Sequence, residues 1–262
     1  MIYIESRENK IFKELKKLKN KKYRYEKKSY LIEGLRFVED AVKSKVPIES
    51  IIFTEDFTKR HGKEASELLA FNNLPQIIMK DSLFRELSDT ENPQGVLAQV
   101  SLSFAKPQVN AGIFVLVDKI QDPGNLGTII RTADAVGASA VICTKGTVDF
   151  LNEKVLRSTM GSIFRVPVIL EDENYTYIRG LSSQGYNIIG TSLGADRSIY
   201  DFDLSSKVVF CIGNEASGLS EEVLSLCHNT AIIPMVGPLE SLNASVAASV
   251  VLFEALRQRI KK

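Results

Sequence analysis

Residues 112–144, "GIFVLVDKIQDPGNLGTIIRTADAVGASAVICT", decide the fold class. Five apolar residues, Ile113 to Val117, read as a buried strand. A polar loop with Asp118, Asp122, Pro123 and Gly124 follows, then a helix from about Leu126 to Val136. Gly137 is placed to close that helix before a second strand at Ala140–Cys143. The order predicts a right-handed β-α-β unit in a parallel sheet. Ligand sites in such sheets lie beyond the carboxyl ends of the strands.

Toward the carboxyl end, strands are expected at Ile188–Thr191, Lys207–Ile212 and Thr230–Ile233. Helices are expected near Glu153–Met160, Tyr175–Gln184, Glu221–Leu226 and from about Asn243 to Ile260. Three loops then occupy the site position: Asp118–Asn125, Gly213–Ser220 and Met235–Asn243. In the first, Asn125 is placed to cap exposed backbone N–H groups, and Arg131 follows six residues later, roughly on the same side of the helix. A helix cap and a surface arginine would explain both, but a guanidinium fork beside a sheet also suits an oxyanion or phosphate. In the second, a strand runs straight into Gly213, Asn214 and Glu215. In the third, Glu240, Ser241 and Asn243 crowd a helix start that needs only one cap.

Toward the amino end, Ile11–Leu18 reads as a short amphipathic helix and Lys19–Lys28 as a charged connection. "SYLIEGLRFVEDAVKS" (29–44) begins extended and turns helical, and further strand and helix patterns complete an α/β unit of about a hundred residues. A boundary is expected near "FAKPQVNAG" (104–112). The expected organisation is a basic leader at 1–28, a first domain at 29–106 and a second at 107–262.

The 262 residues are 44% hydrophobic and 25% charged, a globular composition without a transmembrane run. The amino terminus is charged and carries no apolar signal segment, which implies the cytoplasm. Three scattered cysteines and two histidines argue against a disulfide framework or a structural zinc site, and no metal is expected. The net charge of +1 hides an asymmetry: residues 1–28 hold eleven Lys/Arg against four Glu, so the other 234 residues sum to −6. Lysines interleaved with Tyr23 and Tyr25 can neutralise phosphates and stack bases, although a solvated helix face accounts for part of the run. No G-x-G-x-x-G follows a strand, no P-loop appears, and no G-x-S-x-G elbow exists. A conventional Rossmann enzyme acting on a small metabolite therefore loses its support.

Taken together, "NLGTIIRTADAVGA" (125–138), "CIGNEASGLS" (211–220) and "IPMVGPLESLNASVAASV" (233–250) resemble the three motifs of the SpoU, or TrmH-like, RNA ribose methyltransferases of the SPOUT superfamily. "DFLNEKVLRSTMGSIFRVPV" (149–168) resembles an intervening family segment, with Asp149-Phe150-Leu151 where members often read Asp-Pro-Tyr. "YLIEGLRFVEDAV" (30–42) and the units after it resemble the family's ribosomal-protein-like substrate-binding domain. The resemblance implies a SPOUT-like parallel sheet with a trefoil knot, preceded by a smaller α/β domain, in a homodimer. It implies transfer of a methyl group from S-adenosylmethionine to a ribose 2′-hydroxyl of RNA, with 23S ribosomal RNA as substrate. Transfer RNA is the runner-up, and an RNA-binding module without activity the third reading. By the same resemblance Asn125, Arg131, Glu215, Ser241 and Asn243 are the catalytic set, and Ile212, Gly213, Ile233, Gly237 and Leu242 surround the cofactor.

Overall fold

The computed structural model describes residues 2–70, 74, 76–102, 112–238 and 240–260. The chain divides into two compact units, Met1–Ser103 with Leu151–Arg157, and Phe104–Phe150 with Ser158–Lys262. The boundary expected at 104–112 falls almost wholly outside the described residues, as do Asn72 and Asn73, expected to end a helix.

The first unit contains β1 (Ile2–Ile4), α1 (Lys10–Lys17), α2 (Lys21–Lys27), β2 (Ser29–Glu33), α3 (Leu35–Lys43), β3 (Ile48–Thr54), α4 (Glu55–Arg60), α5 (Gly62–Ala70), β4 (Gln76–Met79), α6 (Asp81–Leu87) and β5 (Val96–Ser101). Its sheet runs β1-β4-β3-β5-β2, with β1, β4 and β3 parallel and β5 antiparallel to both β3 and β2. The basic leader is built into this unit. Phe12, Leu15 and Leu18 recur every three residues and are buried with Ile4, Ile52, Ile77 and Phe84 in one core. Burying each such side chain stabilises the fold by about 1.5–3 kcal/mol, which is why residues so rich in lysine still fold onto the sheet.

Lys19–Lys28 is not an irregular connection, because Lys21–Lys27 forms α2. Asn20 starts the helix by accepting from Tyr23 N–H at 3.3 Å. Arg24 points inward, its Nη1 donating to Leu18 O at 3.0 Å and Lys19 O at 2.9 Å. A guanidinium thus caps the carbonyl end of α1, where the helix dipole favours a cation. Charge pattern alone reads as loop; here one of the charges is structural.

The second unit contains β6 (Ile113–Val117), α7 (Pro123–Ala135), β7 (Ala140–Cys143), β8 (Val168–Leu170), α9 (Thr176–Ser183), β9 (Asn187–Thr191), β10 (Val208–Ile212), α10 (Glu221–Leu226), β11 (Asn229–Ala231) and α11 (Ala244–Ile260), while α8 (Glu153–Thr159), between β7 and β8 in sequence, belongs to the first unit as far as Arg157. All six strands are parallel, in the order β11-β9-β10-β6-β7-β8. β8 went unpredicted because three residues after Pro167 carry too little pattern to read. β11 starts and ends earlier than expected, with Ile232 reduced to a single bridge to Ser198. On one face Phe114, Leu116, Val209 and Cys211 cluster with Ile178 and Leu181 of α9 and Val223 of α10. α11 packs against α7 and β10, and Thr132 and Ser249 hydroxyls meet at 3.2 Å between the two helices.

Candidate active site

At the carboxyl end of β6, Asp118 is fully buried yet hydrogen-bonded: it accepts from Thr144 Oγ at 2.8 Å and from Ser220 N–H at 2.7 Å. A buried carboxylate persists only with such partners, and these tie the loops after β6, β7 and β10 together. Sequence reading placed Asp118 in the loop without a role. The available signal was an acid directly abutting an uninterrupted apolar strand.

α7 begins at Pro123, three residues earlier than expected, and its cap is Asp122, which accepts from Asn125 N–H at 2.8 Å. The expectation that Asn125 caps is thus corrected, and the correction frees its side chain. Asn125 Nδ2 donates to Glu215 Oε1, while Asn125 Oδ1 accepts from Asn243 Nδ2 at 3.0 Å. Asn243 Oδ1 is in turn committed to α11, accepting from Ser245 N–H at 2.9 Å, Ser245 Oγ at 2.7 Å and Val246 N–H at 3.3 Å. Each amide is therefore oriented by its neighbour: the helix holds the Asn243 carbonyl, so its NH₂ faces Asn125, whose NH₂ faces Glu215. Three residues, from the first turn of α7, the loop after β10 and the start of α11, form one polar chain.

Replacing Asn243 separates its two duties. Asn243→Ala loses the cap, about 1 kcal/mol, read as a lower melting temperature. Asn243→Asp retains an acceptor for α11 but cannot donate to Asn125. Near-native stability with impaired turnover is the expected result for Asp, and full turnover would deny the amide chain a role in the reaction.

Arg131 does not join this cluster. It is exposed and makes no hydrogen bond or ion pair to the described residues. Six residues turn a helix by about 600°, roughly 120° short of two turns, so the expected shared side with Asn125 is not realised. Ser241 is exposed beside the cluster.

Next to the polar chain lies a cavity of about 380 Å³, within the size range of ligand pockets. Ile212, Gly213, Ile233, Ser241 and Leu242 line it, and so does Glu215. Gly237 does not, and an added Cβ there meets nothing within 4 Å. Thr191, at the end of β9, with Leu193 and Gly194 in the loop after it, forms a wall that sequence reading missed, although the carboxyl-end rule applied to β9 would have found it. Gly213 is the tightest point. A Cβ on it would stand 2.5 Å from Gly218 O and closer still to the Gly218 carbonyl carbon and Leu219 N. The loop closes there on itself, Asn214 N–H donating to Gly218 O at 3.0 Å and Gly218 N–H to Asn214 O at 2.8 Å.

Residues 112–253 match the profile described as the SpoU rRNA Methylase family, more than half of the chain. The chain belongs to that family. Residues 9–98 match an MRM3-like substrate binding domain, so this SpoU protein carries a second recognisable module. It is 34% identical over 253 residues to the 23S rRNA (guanosine(2553)-2′-O)-methyltransferase of Bacillus subtilis, covering 97% of this chain and 98% of the relative. The solved structure of the SpoU methyltransferase AviRb from Streptomyces viridochromogenes, in complex with the cofactor AdoMet, matches at a TM-score of 0.86 with 33% identity. That match covers 96% of this chain and 98% of the other. A TrmH/SpoU tRNA modifying enzyme from A. aeolicus matches over 60% of this chain and 78% of its own, at TM-score 0.52 and 28% identity. Within this SpoU unit, thiol chemistry is closed off at two positions. Burial pushes Cys143 up to about 12, and Cys211 is held well above the ordinary thiol range by its hydrogen bond with Cys227 and by burial.

Proposed function

We propose that the protein transfers a methyl group from S-adenosylmethionine to a ribose 2′-hydroxyl of 23S ribosomal RNA. The observation that carries this reading is the Glu215–Asn125–Asn243 chain standing at the rim of the cavity. The cavity fits the cofactor on its own terms. Its volume suits a ligand of that class, Leu219, Ile233 and Leu242 supply apolar wall, and the bare backbone at Gly213 leaves room that a side chain would fill. Bound there, S-adenosylmethionine supplies an electrophilic methyl group on a sulfonium centre.

The chain's own residues have the remaining work. A ribose hydroxyl is a poor nucleophile until its proton leaves, and it must be held in line with the sulfur–methyl bond that breaks as the oxygen–methyl bond forms. The oriented NH₂ groups of Asn125 and Asn243 each keep one N–H for the ribose, and Ser241 stands beside them. Arg131, exposed and apart from that polar chain, is assigned the adjoining phosphate and, once RNA is bound, the developing alkoxide on its resemblance to the family motif; a guanidinium is too basic to be the ordinary proton acceptor. Glu215 holds the Asn125 amide in place. The products are a methylated ribose oxygen, a released proton and a neutral thioether.

Ribosomal rather than transfer RNA is favoured by how far each likeness extends. The 23S rRNA enzyme of Bacillus subtilis and an rRNA methyltransferase structure from Sinorhizobium meliloti each align over 97% of this chain, amino-terminal unit included, whereas the A. aeolicus tRNA modifying enzyme aligns over 60%. In this reading residues 29–106 grip the RNA, the leader at 1–28 adds cationic surface to that grip, and 107–262 carry out transfer. A homodimer is supported by α11, where Val246, Phe253 and Ile260 recur every seven residues and are 47%, 50% and 72% exposed. A trefoil knot is supported by the second and third loops lying side by side as walls of one cavity, with α11 returning over α7 and β10. No helix among the described residues is long and apolar enough to cross a membrane, and a ribosomal RNA substrate supports a cytoplasmic location. Mapping ribose methylation across total RNA from cells with and without this gene is the test. One mark missing from 23S ribosomal RNA is expected. Loss of a mark in transfer RNA alone would overturn the substrate, and no lost mark would overturn the activity.

A further inference from the structure

Five residues other than glycine adopt left-handed backbone among the described residues: Lys28, Lys45, Lys119, Met160 and Tyr175. Four of them stand at helix boundaries, where this conformation commonly ends or begins a helix. Lys28 caps α2, Lys45 follows the Ser44 cap of α3, Met160 follows α8, and Tyr175 precedes α9. Lys119 does not, lying between β6 and α7. A glycine would adopt its φ of 55° without steric penalty. Backbone strain of this kind persists only where the surroundings over-determine it, and the surroundings here do.

Lys119 N–H donates to Thr144 Oγ at 3.1 Å, and Lys119 O accepts from Asn214 Nδ2 at 3.1 Å. Its neighbours Asp118 and Ile120 are both fully buried. Asp118 is held by Thr144 and Ser220, and Ile120 O accepts from Val148 N–H at 2.8 Å. The start of the side chain rests on Gly146, where a Cβ would come within 3.2 Å of Lys119 Cγ. Between two buried residues, then, one lysine is exposed, and its ammonium has no hydrogen bond or ion pair to the described residues. Lys145, on the loop after the neighbouring strand, is instead paired with Glu173. Most cations of α1 are also paired: Lys13 with Glu8, Lys17 with Glu14 and Lys16 with Glu86.

The backbone that carries this exposed charge is pinned where the chain leaves β6, one of the two central strands of the parallel sheet, and its carbonyl is one hydrogen bond from Asn214 in the cavity wall. Lys119 itself does not line the cavity. The geometry points to Lys119 as an anchor for a phosphodiester of the RNA backbone, next to the ribose that receives the methyl group. A lysine on a tethered backbone is a point charge suited to phosphate, and phosphate contacts set register on a nucleic acid. The inference rests on the RNA methyltransferase reading and adds a substrate contact to it.

The test compares the full-length protein with Lys119→Gly, which relaxes the backbone and removes the charge, and Lys119→Arg, which keeps the charge. Binding of 23S ribosomal RNA from cells lacking the gene is measured across salt concentrations, alongside S-adenosylmethionine affinity and steady-state kinetics. For Lys119→Gly, the slope of log affinity against log salt is expected to fall by about 0.7–0.9, the loss of one phosphate contact. KM for RNA should rise while kcat and cofactor affinity hold, and Lys119→Arg should restore the slope. A purely structural lysine would leave the slope unchanged, and that outcome overturns the proposal. So does weakened cofactor binding, which would make the cofactor's carboxylate the partner. Wild-type protein that binds this RNA without methylating it would defeat the functional reading, while the salt slope would still decide Lys119.

Discussion

Arg131→Ala is expected to lower methyl transfer by about 10²–10³-fold, the usual cost of removing a donor aimed at developing negative charge. Cofactor affinity should stay at the wild-type level, because Arg131 is absent from the cavity wall. Stability should change little as well, since its side chain is exposed and bonded to nothing among the described residues. Arg131→Lys keeps the charge and loses the planar fork, so it should fall between the two. Single-turnover kinetics with saturating RNA and isothermal titration with S-adenosylmethionine separate these quantities. Wild-type transfer by Arg131→Ala would remove the residue from the mechanism.

Gly213→Ala acts through backbone instead. The new Cβ would meet Gly218 O at 2.5 Å, with the Gly218 carbonyl carbon and Leu219 N closer still. All three are main-chain atoms, which cannot swing aside as a side-chain tip can. Overpacking costs about 1–3 kcal/mol even where neighbours adjust, and here the adjustment would part the Asn214–Gly218 pairing that shapes the cavity wall. Loss of measurable cofactor binding is the expected result, with a melting temperature lowered by several degrees. Gly237→Ala is the matched control. Its Cβ enters open space, so wild-type cofactor affinity is expected, and a marked loss there would return Gly237 to the binding wall.

The three loops were legible because each joins an apolar strand to a helix through glycine, proline or a capping side chain, and such boundaries are written locally. The parallel sheet followed from strand and helix order. Less legible was anything decided by partners distant in sequence. Asn125 looked like a cap because it lies near a helix start; that Asp122 takes the duty depends on where Pro123 sets the first turn. Asp118 looked like loop polarity until Ser220, 102 residues away, supplied its N–H. α2 looked like a solvated connection because the sequence does not show that Arg24 turns inward to the carbonyls of Leu18 and Lys19. The Thr191–Gly194 wall carries no chemistry-bearing side chain beyond hydroxyls, so only its place at the carboxyl end of β9 and the cavity itself mark it.

Asn243 has a further consequence, one of timing. Its amide reaches back 118 residues to Asn125 and is oriented by the first turn of α11. Proteins are synthesised from the amino end, and domains fold as their chain emerges. Asn125 and Glu215 are therefore made well before the helix that aligns them. An unfinished polypeptide still tethered to its own ribosome, surrounded by ribosomal RNA, lacks the alignment that chemistry needs. The alignment of Asn125 can form only after α11 has been made, later in synthesis than either residue it orients.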